Sequence, residues 1–381
     1  MKGYDISKIR EDFPITKEYT YLDNAGLSPL PVQVIKAITN FIEERSLVGA
    51  LNYFTSWQEL IKDVSILFGK LINADIDEIA LTRNTTEGIN IVANMLNLKK
   101  GDNVIINDLE FPANIFPWTR FKKYGVEVRV IKNKNGMIDL LDIEKEIDEN
   151  TRVVSVSHVQ STNGFKIDLE ALGKITNEHG IYLCVDAIQS VGVLPVDVRK
   201  CKVDFLACGG HKWLFAPLGT GFFYCRKELI SQFEPAYVGL LGAKRQTNLG
   251  TSFQDWHPVD TARRFMHGNI SFSGFAGAKA GIEYINRIGI KNIEKRVIAL
   301  GDLLIELLQD KNPIYLAPLD KKYRSAAITF KVPNVETVFK KLDENKVIVA
   351  PRIGGLRVSP NFYNTEEEIK KLGEIVTKFN I

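Results

Sequence analysis

Three segments of the chain carry side chains whose types and positions suit them to chemistry. Lys212 lies between an apolar run and a segment rich in Gly and Pro. A partly desolvated amine has a lowered pKa, which makes it a nucleophile able to form a Schiff base. Asp186 ends an earlier apolar run, where its carboxylate is placed to hold a protonated heterocyclic nitrogen. Arg83–Gly88 joins a predicted strand to a predicted helix, and the N–H groups of a helix start favour an anion such as phosphate.

Each segment also has a structural alternative when it is considered alone. Asn84 and Glu87 stand three apart, as in a capping box, so Arg83–Gly88 is also typical of a capped helix that binds nothing. Asp186 is equally typical of a helix cap, and a single lysine is usually exposed on a turn. The order favours the chemical interpretation, because the helix start comes first, then Asp186, then Lys212 26 residues later.

Short apolar strands that alternate with helical patterns must position these residues. Apolar strands separated by helices predict a mainly parallel sheet that is covered on both faces. Apolar residues at one-face spacing predict one of the helices; they are Ile89, Val92, Ala93 and Leu96. The predicted strands are Glu78–Thr82, Asn103–Asn107, Val126–Ile131, Arg152–His158, Ile181–Asp186, Phe205–Cys208 and Gly221–Cys225.

The last two predicted strands are joined by GGHKWLFAPLGT, which has little helical character. A parallel crossover normally needs a dozen or more residues built around a helix. We therefore predict that Gly221–Cys225 runs antiparallel to its neighbours. The predicted fold class is α/β, with a seven-stranded, mostly parallel mixed sheet flanked by helices.

A second, smaller unit is predicted after about Gly274. A helical pattern from Ala276 to Leu308 leads into a compact section of strands and helices from Ala326 onward. We predict a large domain over residues 15–273 and a small α+β domain formed by residues 1–14 and 274–381, with the long helix joining them.

Composition excludes several classes of protein. The 381 residues are 45% hydrophobic and carry a net charge of only +3, without the concentrated basic stripe of a nucleic-acid-binding protein. The four cysteines form no C-x-x-C pair, which is typical of reduced thiols in a cytoplasmic protein. Neither a signal peptide nor a membrane-spanning run is visible. We expect a cytoplasmic protein that binds neither nucleic acid nor membrane.

Seven motifs in order carry a resemblance to class V of the pyridoxal 5′-phosphate (PLP)-dependent transferases, which have fold type I. This family includes cysteine desulfurases, isopenicillin N epimerase-like proteins, kynureninases and several aminotransferases. The resemblance covers nearly the whole chain. The motifs are YLDNAG at 21–26, RNTTEGIN at 83–90, EFPANIFPW at 110–118, SHVQSTNG at 157–164, VDAIQ at 185–189, GGHKW at 209–213 and LRVSPNFYNTEEEI at 356–369.

The resemblance implies a PLP site with no metal. Lys212 resembles the lysine that binds PLP, and His211 resembles a contact to the phosphate or to the lysine loop. Thr85 and Thr86 resemble the phosphate-binding pair. Asp186 resembles the partner of the pyridine nitrogen, which keeps the ring able to accept electrons.

Five further residues complete the implied site. Gln189 resembles the donor to the phenolic oxygen of PLP, and Phe111 falls where the family stacks a side chain on the ring. Arg357 resembles the arginine that binds the substrate α-carboxylate through its planar fork, and Asn24 falls in the N-terminal loop that lines the same pocket. Asn269 falls where relatives place a phosphate contact from the neighbouring subunit, which implies a homodimer with shared sites.

The chain departs from cysteine desulfurases at two places. Desulfurases carry a nucleophilic cysteine just before the substrate arginine, and residues 347–356 contain none. Where desulfurases stack a histidine on the cofactor, this chain has Phe111, which cannot shuttle a proton. Persulfide-forming activity is therefore not expected. Either Ser161 or Asn163 takes the place of the family's asparagine near the phenolic oxygen.

The sequence predicts an enzyme that acts on a small amino acid, with transamination as the leading reaction. β-Elimination, or C–S lysis, and epimerisation are the alternatives, because all three begin with removal of the Cα proton. A non-catalytic protein of the same fold is a further alternative. This alternative is disfavoured because a site that has lost its catalytic function does not require Lys212, Asp186 and Arg357 together.

Overall fold

A computed structural model describes residues 5–244, 256–316 and 318–379. The strands are β1 (Thr20–Tyr21), β2 (Ile79–Thr82), β3 (Asn103–Asn107), β4 (Glu127–Ile131), β5 (Thr151–Ser157), β6 (Tyr182–Asp186), β7 (Phe205–Gly209), β8 (Gly221–Cys225), β9 (Ile328–Lys331), β10 (Val347–Ile348), β11 (Ala350–Arg352) and β12 (Gly355–Val358). The helices are α1 (Ile6–Glu11), α2 (Val32–Val48), α3 (Ser56–Ile72), α4 (Thr85–Met95), α5 (Phe116–Thr119), α6 (Leu140–Lys145), α7 (Leu169–Glu178), α8 (Lys227–Ile230), α9 (Phe272–Ile288), α10 (Ile290–Leu308), α11 (Val335–Glu344) and α12 (Glu366–Val376). None of the helices in the described ranges is long and apolar enough to cross a bilayer.

The central sheet has seven strands in the order β2-β8-β7-β6-β5-β3-β4. Most of its residues are buried on both faces, which is why these strands are continuous apolar runs in the sequence. All seven strands are at the predicted positions, within one or two residues at each end. The predicted fold class is confirmed.

The reversed strand is also confirmed, because β8 pairs antiparallel with both β2 and β7, whereas the remaining neighbours pair in parallel. Residues 210–220 connect the end of β7 to β8 without a helix. This short connection brings the chain straight back beside β7 and holds Lys212 at the edge of the sheet.

Helix α4 packs closely on the middle of the sheet. Its buried face includes Ile89, Val92 and Ala93, as the one-face spacing predicted. A Cβ at Gly88 would lie 2.6 Å from the Cβ of Ala207 on β7. Glycine at this position therefore allows the start of α4 to lie directly against β7.

The predicted helical pattern from Ala276 to Leu308 is not one helix. Gly289, with a φ of 88°, separates α9 from α10, and its N–H donates to the carbonyl of Ile285 at 2.8 Å. A positive φ is readily adopted only by glycine. The prediction of a continuous helix was wrong because Gly289 ends α9 and redirects the chain into α10.

Strands β11, β12 and β9 form a three-stranded antiparallel sheet with its own apolar cluster, which also includes Leu22 and the second half of α10. The remaining core surrounds the central sheet and includes Ile9 and Phe13. Arg10 donates to Glu368 on α12 at 2.9 Å, so the N-terminal segment contacts both parts. The boundary between residues 273 and 274 stays a prediction, and residues 1–4 lie outside the described part of the chain.

Candidate active site

The carboxyl ends of the parallel strands meet at one edge of the central sheet, where a cavity of about 250 Å³ opens. This edge is where ligands bind in open α/β sheets. Eight of the ten predicted site residues line this cavity: Thr85, Thr86, Phe111, Asp186, Gln189, His211, Lys212 and Arg357. Residues that are far apart in the sequence therefore form one site.

Lys212 lies in the loop after β7, with Nζ 5.9 Å from the centre of the Phe111 ring. Burial, chiefly, lowers the pKa of Lys212 to about 8, and the charge of Arg357 lowers it further while Asp186 opposes the shift. An amine with this pKa is partly neutral near pH 8, which is the state in which it attacks a carbonyl carbon. The environment of Lys212 therefore suits it to hold an aldehyde covalently.

The lowered pKa of Lys212 gives a pH dependence for cofactor capture. Because only the neutral amine attacks, we expect the rate constant for PLP capture to rise about tenfold per pH unit below pH 8 and to level off above about 8. Replacing Asp186 with Asn removes a charge that raises the pKa of Lys212, so the plateau is expected at lower pH. Stopped-flow absorbance of protein stripped of PLP measures both profiles. A rate that keeps rising to pH 10 contradicts this expectation.

Asp186 ends β6 and is 2% exposed. Its Oδ1 accepts a hydrogen bond from the N–H of Ile188 at 3.0 Å, whereas its other oxygen has no hydrogen-bond partner within the described residues. Burial, chiefly, raises the pKa of Asp186, because an unpaired charge is costly inside a protein. A protonated ring nitrogen would supply both the missing hydrogen bond and the missing positive charge, so the site fits a pyridine ring.

The start of α4 faces the same cavity. Asn84 caps the helix by accepting from the N–H of Glu87 at 2.9 Å. Glu87 accepts in turn from the N–H of Arg83 at 2.6 Å, so the predicted capping box is offset by one residue. Thr85 Oγ1 accepts from the N–H of Gly209 at 2.9 Å. The N–H groups of a helix's first turn have no intrahelical partners, which makes this end suitable for a phosphate group.

Gln189 and His211 line the cavity beside the lysine. The Gln189 side chain donates to the carbonyl of Ala25 and accepts from Trp213 Nε1, both at 2.9 Å, so its amide orientation is fixed. Burial, followed by the charge of Lys212, lowers the pKa of His211. A neutral imidazole suits a hydrogen-bonding role here better than a charged one.

Arg357 is fully buried at the cavity wall. Its Nη1 donates to the carbonyl of Ser161 at 2.7 Å and its Nη2 to Asp23 Oδ1 at 2.9 Å, whereas Nε has no partner. Burial, chiefly, lowers the pKa of Arg357, although Asp23 opposes the shift. Such an arginine has a donor left for a carboxylate.

Two predicted site residues do not line the cavity. Asn24 is buried and donates to the carbonyl of Ser359 at 2.9 Å, while its oxygen accepts from the Tyr363 hydroxyl. It therefore supports the N-terminal loop, and its neighbours Ala25 and Gly26 line the cavity in its place. Asn269 is exposed and accepts from the Tyr53 hydroxyl at 2.6 Å. Its predicted contact across a subunit interface stays a prediction.

The sequence left Ser161 and Asn163 as alternatives, and geometry distinguishes them. Ser161 lines the cavity. Asn163 donates to the carbonyls of Gly136 and Leu316. These two hydrogen bonds connect the turn at Gly136 to the segment that precedes β9. Ser161 is therefore the member of this pair that is placed to contact a ligand.

Sequence reasoning missed a buried carboxylate beside the site. Glu110 is 5% exposed and has no ion-pair partner within the described ranges. Its oxygens accept from the side chains of Asn107, Asn114, Ser157 and Gln160 and from the Ser157 backbone N–H. Because Asn107 ends β3 and Ser157 ends β5, these hydrogen bonds attach Glu110 to the sheet and fix the loop that presents Phe111 to the cavity. Its position directly before Phe111 was the available signal.

None of the four cysteines lines the cavity. Cys184, Cys208 and Cys225 are buried, and Cys201 is partly buried. Burial, chiefly, raises the pKa of Cys184 to about 12 and that of Cys201 to about 11. These thiols are protonated at neutral pH and are therefore poor nucleophiles.

The fold and the cavity define a PLP-dependent enzyme of fold type I. A family model described as aminotransferase class-V matches residues 20–372. The chain therefore belongs to the aminotransferase class-V family of PLP-dependent enzymes, as its motifs predicted.

Some of the similar proteins are named cysteine desulfurases, and one is named an aminotransferase. A probable cysteine desulfurase of Methanothermobacter thermautotrophicus is 34% identical, with 96% of each chain covered. An uncharacterized aminotransferase of Bacillus subtilis is 30% identical, with 97% of each chain covered. The apo structure of a cysteine desulfurase from Thermococcus onnurineus NA1 is 30% identical, superposes with a TM-score of 0.89 and covers 98% of each chain.

Proposed function

We propose that this protein is a PLP-dependent C–S lyase that releases sulfur from the side chain of an amino acid by β-elimination. The observation that carries the proposal is the absence of cysteine from residues 347–356 in a chain whose similar relatives include proteins named cysteine desulfurase. A desulfurase needs a cysteine there to accept sulfur. Without it, Cβ–S cleavage can still proceed if the sulfur leaves directly as a thiolate.

The names of the relatives support C–S lysis better than transamination, which the sequence placed first. Transamination stays the second candidate, because one relative of nearly equal coverage is named an aminotransferase. The two reactions share removal of the Cα proton and differ in the next step. In lysis the Cβ–S bond breaks, whereas in transamination the proton removed from Cα would be transferred to the cofactor.

The residues of the cavity have distinct proposed roles in lysis. When bound, PLP supplies an electron sink for the pair left on Cα. Arg357 binds the α-carboxylate, and the Lys212 amine, once displaced by substrate, removes the Cα proton. Asp186 would keep the ring nitrogen protonated, and Phe111 would contact the ring without exchanging a proton.

The reaction balances without any oxidant or reductant. The Cα–H and Cβ–S bonds break, and the electron pair of the Cβ–S bond leaves on sulfur. The remaining enamine reacts with water to give pyruvate and ammonium, so the substrate and one water yield pyruvate, ammonium and a thiol or sulfide. An aliphatic side chain carries no leaving group on Cβ. The reaction is therefore restricted to amino acids that carry one, such as a thiolate.

We expect L-cysteine to yield pyruvate and sulfide in equal amounts, without alanine, when no external thiol is added. Enzymatic pyruvate assay, sulfide detection and amino-acid analysis measure the three products. Cys201, the only cysteine that is not fully buried, serves as a control: Cys201→Ser is expected to keep full activity. Alanine together with a persulfide on Cys201 would mean that the protein is a desulfurase. Accumulation of the pyridoxamine form would instead support transamination.

We also propose a homodimer, in which Asn269 contributes to the site of the neighbouring subunit. Asn269 is exposed and follows by two residues His267, whose Nε2 lies 3.8 Å from Glu87 Oε1 in the first turn of α4, and this position supports the arrangement. Light scattering is expected to give twice the chain mass of 42.9 kDa, and a single-chain mass would exclude it. Location in the cytoplasm stays a prediction.

A further inference from the structure

Two arginines lie on the same face of the hairpin that borders the cavity. Strands β11 and β12 pair antiparallel, with Arg352 opposite Gly355. Directly opposite residues share a face, and alternate residues along a strand share a face, so Arg352 and Arg357 project to the same side. Both line the cavity.

The two arginines differ in their partners. Arg357 is paired with Asp23. Arg352 donates only to the carbonyl of Pro351, at 2.8 Å, and no carboxylate of the described residues lies within ion-pair distance of it. Its guanidinium therefore has most of its donors available on the cavity side of the hairpin.

Arg352 also adds to a concentration of positive charge. Its charge lowers the pKa of both Lys212 and Arg357, as a secondary cause beside burial. Lys212, Arg352 and Arg357 thus face one small cavity, which Asp186 also lines, while Asp23 pairs with Arg357. A site for an amino acid with a single α-carboxylate needs one arginine, and this site has a second arginine with no carboxylate partner among the described residues.

We propose that Arg352 is a specificity-determining residue that binds a second anionic group, carried by the side chain of the substrate. The inference rests on the proposed lyase function and names its substrate class: amino acids whose leaving sulfur carries a carboxylate or an oxidised, anionic sulfur group. Arg357 binds the α-carboxylate, and Arg352 binds the anion at the far end. A planar guanidinium suits such anions because it donates two parallel hydrogen bonds.

A rival role for Arg352 is electrostatic. Its charge would then only offset that of Asp23, so that the α-carboxylate is attracted to Arg357. In that case removal of Arg352 weakens binding of every amino acid to the same degree. An experiment must therefore compare substrates that differ only in the charge of the side chain.

The kinetic test uses S-carboxymethyl-L-cysteine and its amide, S-carbamoylmethyl-L-cysteine, which have nearly the same size. We expect the PLP-loaded wild-type protein to release pyruvate from the acid with a kcat/KM about tenfold higher than from the amide. In Arg352→Gln the ratio falls to about one, and Arg352→Lys restores part of it. Lys340→Gln, which removes the charge of an exposed lysine on helix α11 outside the cavity, is the control and leaves the ratio unchanged.

A binding test separates the subsite from the reaction. The α-methyl derivatives of L-glutamate and L-glutamine lack a Cα proton and differ in side-chain charge. Calorimetry with the PLP-loaded protein is expected to give about tenfold tighter binding of the acid, lost in Arg352→Gln. Equal affinities in the wild type, or an equal loss for both ligands in Arg352→Gln, overturn the inference even if pyruvate is released. If the acid binds tighter through Arg352 and no pyruvate appears, the subsite stands and the lyase function fails.

Discussion

Replacing Lys212 with alanine is expected to remove both the visible absorbance of bound PLP and all measurable turnover. The buried amine is the one lysine among the described residues that line the cavity, and its proposed roles are covalent attachment and removal of the Cα proton. Loss of proton transfer alone lowers a rate by about 10²- to 10⁴-fold. We therefore expect kcat for pyruvate release to fall by about 10⁴-fold, since attachment is lost as well.

The control for this variant is Lys371→Ala, which removes an exposed lysine on α12 and is expected to leave absorbance and kcat unchanged. Circular dichroism and thermal unfolding should show that both variants are folded. Retention of the visible band in Lys212→Ala would place the cofactor on another amine.

The second large effect is expected for Asp186→Asn. The amide keeps the shape of the side chain but carries no charge, so it cannot balance a protonated ring nitrogen in a buried site. Removing one partner of a buried charge pair costs about 3–5 kcal/mol, which corresponds to a fall in kcat of about 10²- to 5 × 10³-fold. The variant should still bind PLP through Lys212 and remain yellow, unlike Lys212→Ala.

Asp204→Asn is the matched control, because Asp204 is also buried at the central sheet but lies outside the cavity. It accepts from the N–H of Leu183 at 2.8 Å and pairs with Arg226. We expect this variant to lower the melting temperature without changing kcat of the folded protein. Steady-state kinetics and thermal unfolding measure the two effects, and an unchanged kcat in Asp186→Asn would exclude the role given to that carboxylate.

The strands of the large sheet could be predicted from the sequence because they are buried on both faces. Continuous apolar runs such as Asn103–Asn107 and Gly221–Cys225 start and end where the structure has β3 and β8. The antiparallel direction of β8 could be predicted because the connection between β7 and β8 is short and contains no helix. The break at Gly289 could not be distinguished from a tolerated helical glycine, because the apolar spacing continues on both sides of it.

The site could be predicted only in part. The motifs indicated the types of residue in the site. Because the parallel sheet brings the ends of its strands together, Asp186 and Lys212 line the same cavity. Contacts made across more than 300 residues, such as that between Asp23 and Arg357, leave no periodic signal in a single sequence. For the same reason the inward position of Ala25 and Gly26, rather than Asn24, required the structure.

The position of the cofactor-bearing amine can be measured directly. The purified PLP-loaded protein is reduced with borohydride and digested, and the peptides are sequenced by mass spectrometry. We expect one pyridoxyl phosphate group per chain, on Lys212. A group on any other lysine, or an unmodified Lys212 in a protein that contained stoichiometric PLP, would contradict the proposed site.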